Sequence, residues 1–303
     1  QDESGDTGFR KDDYIAKFRL NSDRGSDIYQ ELNFKYQWSE EESDQSYVGL
    51  SNASFKADPH KRYGLSKYDN MDNDHETLSL NYLLDIGSFE VSMTAYQNDF
   101  ARNWFKVDKI DNLKVYGLGN GINDIIGAAN SGSADATAIL NGDNAKAVQI
   151  KLKNNNRVYE SEGIDLKGSW SNEMHNVTVG YRETEDSEDR MQWYATADWT
   201  GGKMGTLTEG SMPGYSSNNR LTTAEASAFY INDVISLGDL TLNLGYRSEE
   251  WEIEQKRYID TQRSAVNTAK GYPKTLSDED ASMFGLGATY ALNDSILLYA
   301  GFN

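Results

Sequence analysis

Apolar and polar residues alternate along most of this chain with a period of two. From 28 to 38 the even positions Ile28, Leu32, Phe34, Tyr36 and Trp38 are apolar, with Gln30 the one exception. The odd positions between them are Tyr29, Glu31, Asn33, Lys35 and Gln37. From 240 to 247, Leu240, Leu242, Leu244 and Tyr246 alternate with Thr241, Asn243, Gly245 and Arg247. The pattern recurs in Tyr14/Ala16/Phe18/Leu20, Leu78/Leu80/Tyr82/Leu84, Phe89/Val91/Met93/Ala95 and Ile164/Leu166/Gly168/Trp170. It returns in Val177/Val179/Tyr181, Phe284/Leu286/Ala288/Tyr290 and Ile296/Leu298/Ala300/Phe302. Such alternation puts one kind of side chain on each face of a β-strand. The stretch 223–234 has strand composition without a clear face. About ten strands are predicted.

The connections carry more information than the strands. Short polar turns fall near 22–27, 85–88, 171–176, 237–239 and 292–294, and long links span about 39–73, 108–156, 183–221 and 254–280. Short and long alternate throughout. A transmembrane β-barrel has tight turns on one rim and long loops on the other, and about ten residues of a tilted strand cross the hydrocarbon layer. Several apolar rows also end in Trp38, Tyr82, Trp170, Tyr181, Tyr246 or Tyr290, as an interfacial aromatic girdle requires. An all-β fold follows: an antiparallel transmembrane barrel wall with short periplasmic turns and long extracellular loops. Within the links, 48–57 and 134–140 are expected as short helices, and the Gly/Asn/Ser/Ala-rich stretch 117–142 as a mobile loop tip.

Composition adjusts this picture only slightly. A mean hydropathy of −0.71 suits a barrel, because only alternate strand residues meet lipid. No apolar run is long enough for a transmembrane helix, and residues 1–8 lack the pattern of a signal peptide. Zero cysteine excludes disulfides and thiolate sites. A net charge of −19 argues against nucleic-acid binding. The acids concentrate in the links, as in 183–189 (ETEDSED).

Several segments resemble a known family. Residues 47–63 (YVGLSNASFKADPHKRY) with 66–76 (SKYDNMDNDHE) resemble an extracellular loop of ferric-citrate-type TonB-dependent receptors, and 96–107 (YQNDFARNWFKV) resembles the strand that follows it. Residues 157–166 (RVYESEGIDL), 227–249 (SAFYINDVISLGDLTLNLGYRSE) and 284–302 resemble strands common to TonB-dependent barrels. The resemblance implies a segment, 1–303, of a barrel of about 22 strands, with the plug domain, the TonB box and the remaining strands outside this sequence. It implies a Gram-negative outer-membrane receptor for ferric citrate or a siderophore. The implied partners are the TonB complex, acting through the missing region, and outer-membrane lipid and lipopolysaccharide. No cofactor or resident metal is expected.

No catalytic constellation is legible, so an enzyme is not expected. His60, His75 and His175 share no ligand spacing, and Gly117–Gly121 does not complete a dinucleotide fingerprint. Asp69, Asp72, Asp74 and Glu76 offer carboxylates for Ca²⁺ but lack the rest of an EF-hand, which favours a solvated acidic loop. Ligand contacts follow from strand parity. An anionic chelate calls for guanidinium forks. Parity carried upward from Glu90 turns Asn98, Arg102 and Trp104 inward; parity through Asp165 turns Ser161, Tyr159 and Arg157 inward. Arg182 and Arg247 are inward on their own strands. The ligand-binding candidates are therefore Arg102, Trp104, Arg157, Tyr159, Arg182 and Arg247. The alternative for each arginine is a lumen carboxylate such as Asp165 or Glu249, or contact with a plug. A bulge between Ala95 and Asp99 would reverse the upper parity. A passive porin and a soluble β-sandwich are the competing classes. The first lacks the receptor-like loops, and the second would need a dry apolar core beneath these rows.

Overall fold

A computed structural model describes residues 7–143, 148–210 and 218–302. Ten long strands form one continuous antiparallel sheet in which each pairs with the next along the chain. They are β1 (Phe9–Asn21), β2 (Tyr29–Ser43), β3 (Asn70–Ile86), β4 (Phe89–Asp111), β5 (Val148–Ser171), β6 (His175–Thr200), β9 (Asn219–Leu237), β10 (Leu240–Arg257), β11 (Lys274–Asn293) and β12 (Ile296–Phe302). The two-residue strands β7 (Lys203–Met204) and β8 (Thr208–Glu209) pair back onto the far end of β6. Every strand expected from the alternation falls on one of the ten, with Ile28 alone lying just before its strand, β2.

The register makes the two faces explicit. One cross-strand row reads Leu20, Leu32, Tyr82, Met93, Leu166, Tyr181 and Phe229. The next reads Leu84, Val91, Gly168, Val179, Ile231, Tyr246 and Phe284. Among the described residues no second layer covers these rows, and Leu20 and Phe284 remain 70% and 67% exposed. An apolar surface continuous over so many strands needs an apolar medium against it. The opposite face carries Asn33, Asn81, Thr94, Asp165, Arg182 and their neighbours. The faces of β9 are now defined. Phe229, Ile231 and Ile235 lie on the apolar side, and Asp233 interrupts their row to meet His175 at 2.8 Å. That interruption, together with Val234 on the polar side, blurred the alternation.

The strands run well past the length a bilayer requires. β4, β5 and β6 have 23, 24 and 26 residues, against about ten needed to cross. The polar stretches read as loop are therefore strand in part, most of all over 183–200, and strand reaches into the expected links as far as Ser43, Asn70, Asp111, Val148, Thr200, Asn219, Arg257 and Lys274. Ladder hydrogen bonds hold these segments whatever their side chains, so polarity alone did not mark a loop. Asp72, Asp74 and Glu76 accordingly stand exposed on β3, whereas Asp69 is buried.

The compact apolar core lies in this extension. Val107, Ile110, Ile150 and Leu152 of β4 and β5 pack with Trp199 of β6 under two helices, α2 (Ile122–Asn130) and α3 (Ala134–Asn141). The stretch expected as a mobile tip is thus an ordered cap. Its Ile122, Ile125, Ile139 and Leu140 recur at helical spacing and are buried; its small residues let the pair pack closely. Trp199 Nε1 donates to the Ile139 carbonyl at 2.7 Å. Gly142 ends α3 with φ +79°, and a Cβ there would lie 2.1 Å from the Gly202 Cα, so both the turn and the contact require glycine. A short helix, α1 (Asn52–Ala57), occupies only the second half of 48–57, where Ser51 caps its first turn.

Candidate functional site

The polar face near the loop end carries one cross-strand row in which Arg102, Arg157, Arg190, Arg220 and Arg257 stand side by side on β4, β5, β6, β9 and β10. Parity survives because β4 pairs without a register shift from Phe89 up to Val107. Its one shift falls between Val107 and Lys109, above the row. There Asp108 bulges out to meet Lys153 at 3.2 Å and the Tyr194 hydroxyl at 2.7 Å.

Like charges directly opposite one another repel, and the adjoining row supplies a single carboxylate against five guanidiniums. Glu188 bridges Arg157 at 3.1 Å and Arg220 at 2.9 Å, passing over Arg190 between them. Burial pushes the Glu188 carboxyl up, but the Arg220 hydrogen bond and the charges of Arg157, Arg220 and Arg190 outweigh it and hold it below its ordinary value. Arg190 donates to Gln192 at 2.6 Å and to Asn218 at 3.4 Å. Its pKa is depressed, first by burial and then by Arg220 and Arg157. Arg257 donates to Gln255 and lies 4.9 Å from the Tyr272 ring centre. Arg102 has no carboxylate partner among the described residues. The Nε atoms of Arg102, Arg157, Arg190 and Arg220 are buried without a hydrogen bond. Among the described residues, five guanidiniums thus share one carboxylate partner, and the row is a part-buried cationic surface of the kind that attracts anions.

Aromatic rings flank the row on both sides. Below it, Phe100 stacks on Tyr159 at 6.0 Å, and the Tyr159 hydroxyl accepts from Arg157 at 3.1 Å. Above it, Trp104 meets Tyr47 edge-on at 5.5 Å, and its indole N–H donates to the Gln45 carbonyl.

Of the six residues proposed from sequence, Arg102, Arg157, Trp104 and Tyr159 come together here. Arg182 and Arg247 do not. They lie eight and ten positions down their strands from Arg190 and Arg257, about 27 and 34 Å at the usual rise. Arg182 is exposed opposite Asp165, and Arg247 pairs with Glu249 at 2.5 Å. Sequence reasoning missed Arg190, Arg220, Arg257 and Glu188. Parity extended from Arg182 through the acidic run 183–189 would have found Glu188 and Arg190, and parity from Arg247 upward would have found Arg257; Arg220 lay on the strand whose face the sequence left undefined.

A concavity of about 850 Å³ opens elsewhere, lined by Glu162, Glu183, Glu185, Glu225, Glu252 and Asp278 among others. Most of these lie on the upward continuation of the apolar face, where carboxylates repel anions. Among the described residues no group of three or more His, Asp or Glu is placed to hold a metal.

A single antiparallel wall with an uncovered apolar face, tight turns at one end and long strands at the other defines an outer-membrane-type β-barrel. The chain belongs to the TonB-dependent receptor-like β-barrel family, whose model matches residues 2–303. It superposes on the unliganded ferric citrate transporter FecA with a TM-score of 0.63 at 22% identity, covering 97% of this chain and 36% of that one. The siderophore receptor PiuA from Acinetobacter baumannii matches with a TM-score of 0.57 at 13% identity over 94% of this chain and 40% of its own. The ferric-catecholate import receptor Fiu from E. coli K12 matches with 0.55 at 14% identity over 98% and 47%. The chain therefore spans less than half the length of these proteins. In such a barrel the apolar face meets lipid and the polar face the lumen.

Proposed function

We propose that this chain forms part of an outer-membrane receptor that captures an anionic ferric chelate, ferric citrate or a carboxylate-rich siderophore, for uptake energised through TonB. The arginine row carries this reading. Guanidiniums bind carboxylates bidentately, and five of them on five hydrogen-bonded strands form a site that needs little ordering when ligand arrives. Capture is by binding alone, and no covalent step is involved. Energy coupling, the plug and the remaining wall belong to contacts outside this stretch, and lipopolysaccharide would border the acidic upper rim of the lipid-facing side. The resemblance of 47–76 to ferric-citrate-type loops favours citrate as the first ligand to test.

The test is ferric citrate binding to the intact protein in detergent. A charge-assisted hydrogen bond contributes about 1.5–3 kcal/mol, so Arg157→Gln and Arg190→Gln should each weaken binding roughly ten- to a hundred-fold. Arg247→Gln, far down the wall, should leave it unchanged. Equal affinity in all three variants would remove the arginine row from the mechanism.

A further inference from the structure

Lys106 stands on the same face as Arg102, four positions further up β4, yet it is only 9% exposed. Its Nζ lies 3.4 Å from the Tyr47 ring centre and 4.2 Å from that of Trp104. No carboxylate pairs with it among the described residues. A buried ammonium held only by ring faces is unusual, since a buried cation is normally paired. Burial depresses its pKa, and Lys153 and Arg102 add to that; Asp108 and Asp69 oppose it.

Tyr47 belongs to a strap, residues 44–48, that crosses β4; Gly8 holds its Asp44 end through two hydrogen bonds of 2.9 and 3.1 Å, and one carboxylate pins its middle. Asp69, 1% exposed, accepts from the Val107 amide of β4 through one oxygen at 2.8 Å. Its other oxygen accepts from the Ser46 hydroxyl at 2.9 Å and from the Tyr47 amide at 3.4 Å. The strap is also held at the Gln45 carbonyl by Trp104 and at the Asp44 carbonyl by Arg62.

We propose that Lys106 is a further ligand-contacting cation of the vestibule, sheathed by Tyr47 and Trp104 until the 44–48 strap lifts, and that Asp69 is the residue positioning the strap. This rests on reading the arginine row as the chelate site. It assigns Lys106 to an additional anionic group of the ligand, beyond those the arginines engage. The ring faces offer the ammonium modest attraction, whereas a ligand carboxylate offers a charge–charge contact in the same low-dielectric spot.

Asp69 sets the direction of the pH response. The charged groups facing it are Arg62 from its own loop and Lys106 from β4. Burial raises its pKa from 3.8 to about 6, against the opposing hydrogen bonds from Val107, Ser46 and Tyr47. With the strap lifted, the carboxyl meets water and returns toward 3.8. The closed form therefore takes up a proton more readily than the open form. Closure is most favoured below 3.8 and loses that advantage as pH rises through about 6. At neutral pH the strap is poised to lift.

The experiment uses the intact protein in detergent and reads three signals. Acylation of Lys106 by acetic anhydride at pH 7.5, with exposed Lys114 as internal reference, should be slow; Tyr47→Ala should raise it at least fivefold, whereas Asp69→Asn, which keeps the site uncharged, should leave it slow. Should Tyr47→Ala fail to fold, Ser46→Ala loosens the strap more gently and should raise the rate in the same direction. Hydrogen exchange of 44–48, corrected for intrinsic rates, should quicken between pH 5 and 7.5 in the native protein and stay flat in Asp69→Asn. Lys106→Gln should weaken ferric citrate binding about tenfold, and Lys106→Arg should restore most of it. Acylation of Lys106 that ignores the strap variants, or unchanged affinity in Lys106→Gln while Arg157→Gln loses binding, overturns the inference and leaves the receptor reading intact. If no variant of the arginine row alters ferric citrate binding, the receptor reading falls instead, and the acylation and exchange signals still decide whether Lys106 is sheathed.

Discussion

Replacing Glu188 by glutamine should move stability and affinity in opposite directions. The carboxylate bridges Arg157 and Arg220 at 3.1 and 2.9 Å, with all three side chains about a quarter exposed or less. Two charge-assisted contacts of about 1.5–3 kcal/mol each, discounted for partial solvent screening, give a loss of roughly 2–4 kcal/mol. Glu188 and Arg190 stand two residues apart on β6, so a ligand anion seated over Arg190 would lie roughly 7 Å from that carboxylate at the usual strand rise. At an effective dielectric constant of about 20 the repulsion removed is about 2 kcal/mol, on the order of a thirty-fold gain in affinity. The assays are the thermal unfolding midpoint in detergent and ferric citrate titration at low and high salt, with the gain shrinking at high salt. The stability difference also has a pH signature. Because the native protein holds Glu188 below its ordinary 4.5, its contribution is present above 4.5 and lost as pH falls through the depressed native value. Native and variant midpoints should converge there. A fall in both stability and affinity would refute the reasoning, since Glu188 would then be part of the ligand site rather than its brake.

Three further outcomes follow from the same geometry. Ile231→Arg on the lipid-facing side should impair insertion by about 2–4 kcal/mol, whereas Asn232→Arg, one residue on and facing the lumen, should insert normally by heat-modifiable gel mobility. Ile125→Ala in the helical cap should cost about 2–5 kcal/mol of local stability, seen as faster hydrogen exchange across 122–141 while exchange in the lower strands stays constant. Glu249→Gln breaks a pair one-third exposed on each side, so the midpoint should move by less than about 1 kcal/mol and ferric citrate affinity should not change.

The lower wall was legible because lipid and water impose a two-residue period that composition alone displays. Its ten strands and their turns could be read without coordinates, as could the faces of all but β9, from runs such as Ile28 to Trp38 or Leu240 to Arg247. The upper wall was not, because beyond the bilayer both faces meet water and the period loses contrast. There Glu183, Glu185 and Asp189 interleave with Thr184, Asp186 and Glu188, and a strand looks like an acidic loop. Three of the five arginines of the row, Arg190, Arg220 and Arg257, were hidden in this upper wall. Of the helical cap, α3 was legible as the short helix expected at 134–140; α2 was not, because Ile122 and Ile125 sit among glycine and asparagine, and a core divided between two short helices leaves no long periodic run.

The net charge of −19 is the least informative number about what this chain binds, because its charges are sorted by face. On the upward continuation of the lipid side, Glu162, Glu185, Glu225, Glu252 and Asp278 form one cross-strand row. A few residues further along the same strands, on the opposite side, stand Arg157, Arg190, Arg220 and Arg257. Alternation that separates lipid from water lower down separates anion from cation above. An anionic ligand is turned away by the outer surface and drawn to the lumen, and low-dielectric walls concentrate that field where the arginines stand. Strands suit this better than loops, since five like charges stay in register only where hydrogen bonds on both sides hold each backbone. The repulsion within the row is then carried by the sheet, and on the proposed reading a ligand carboxylate would relieve it.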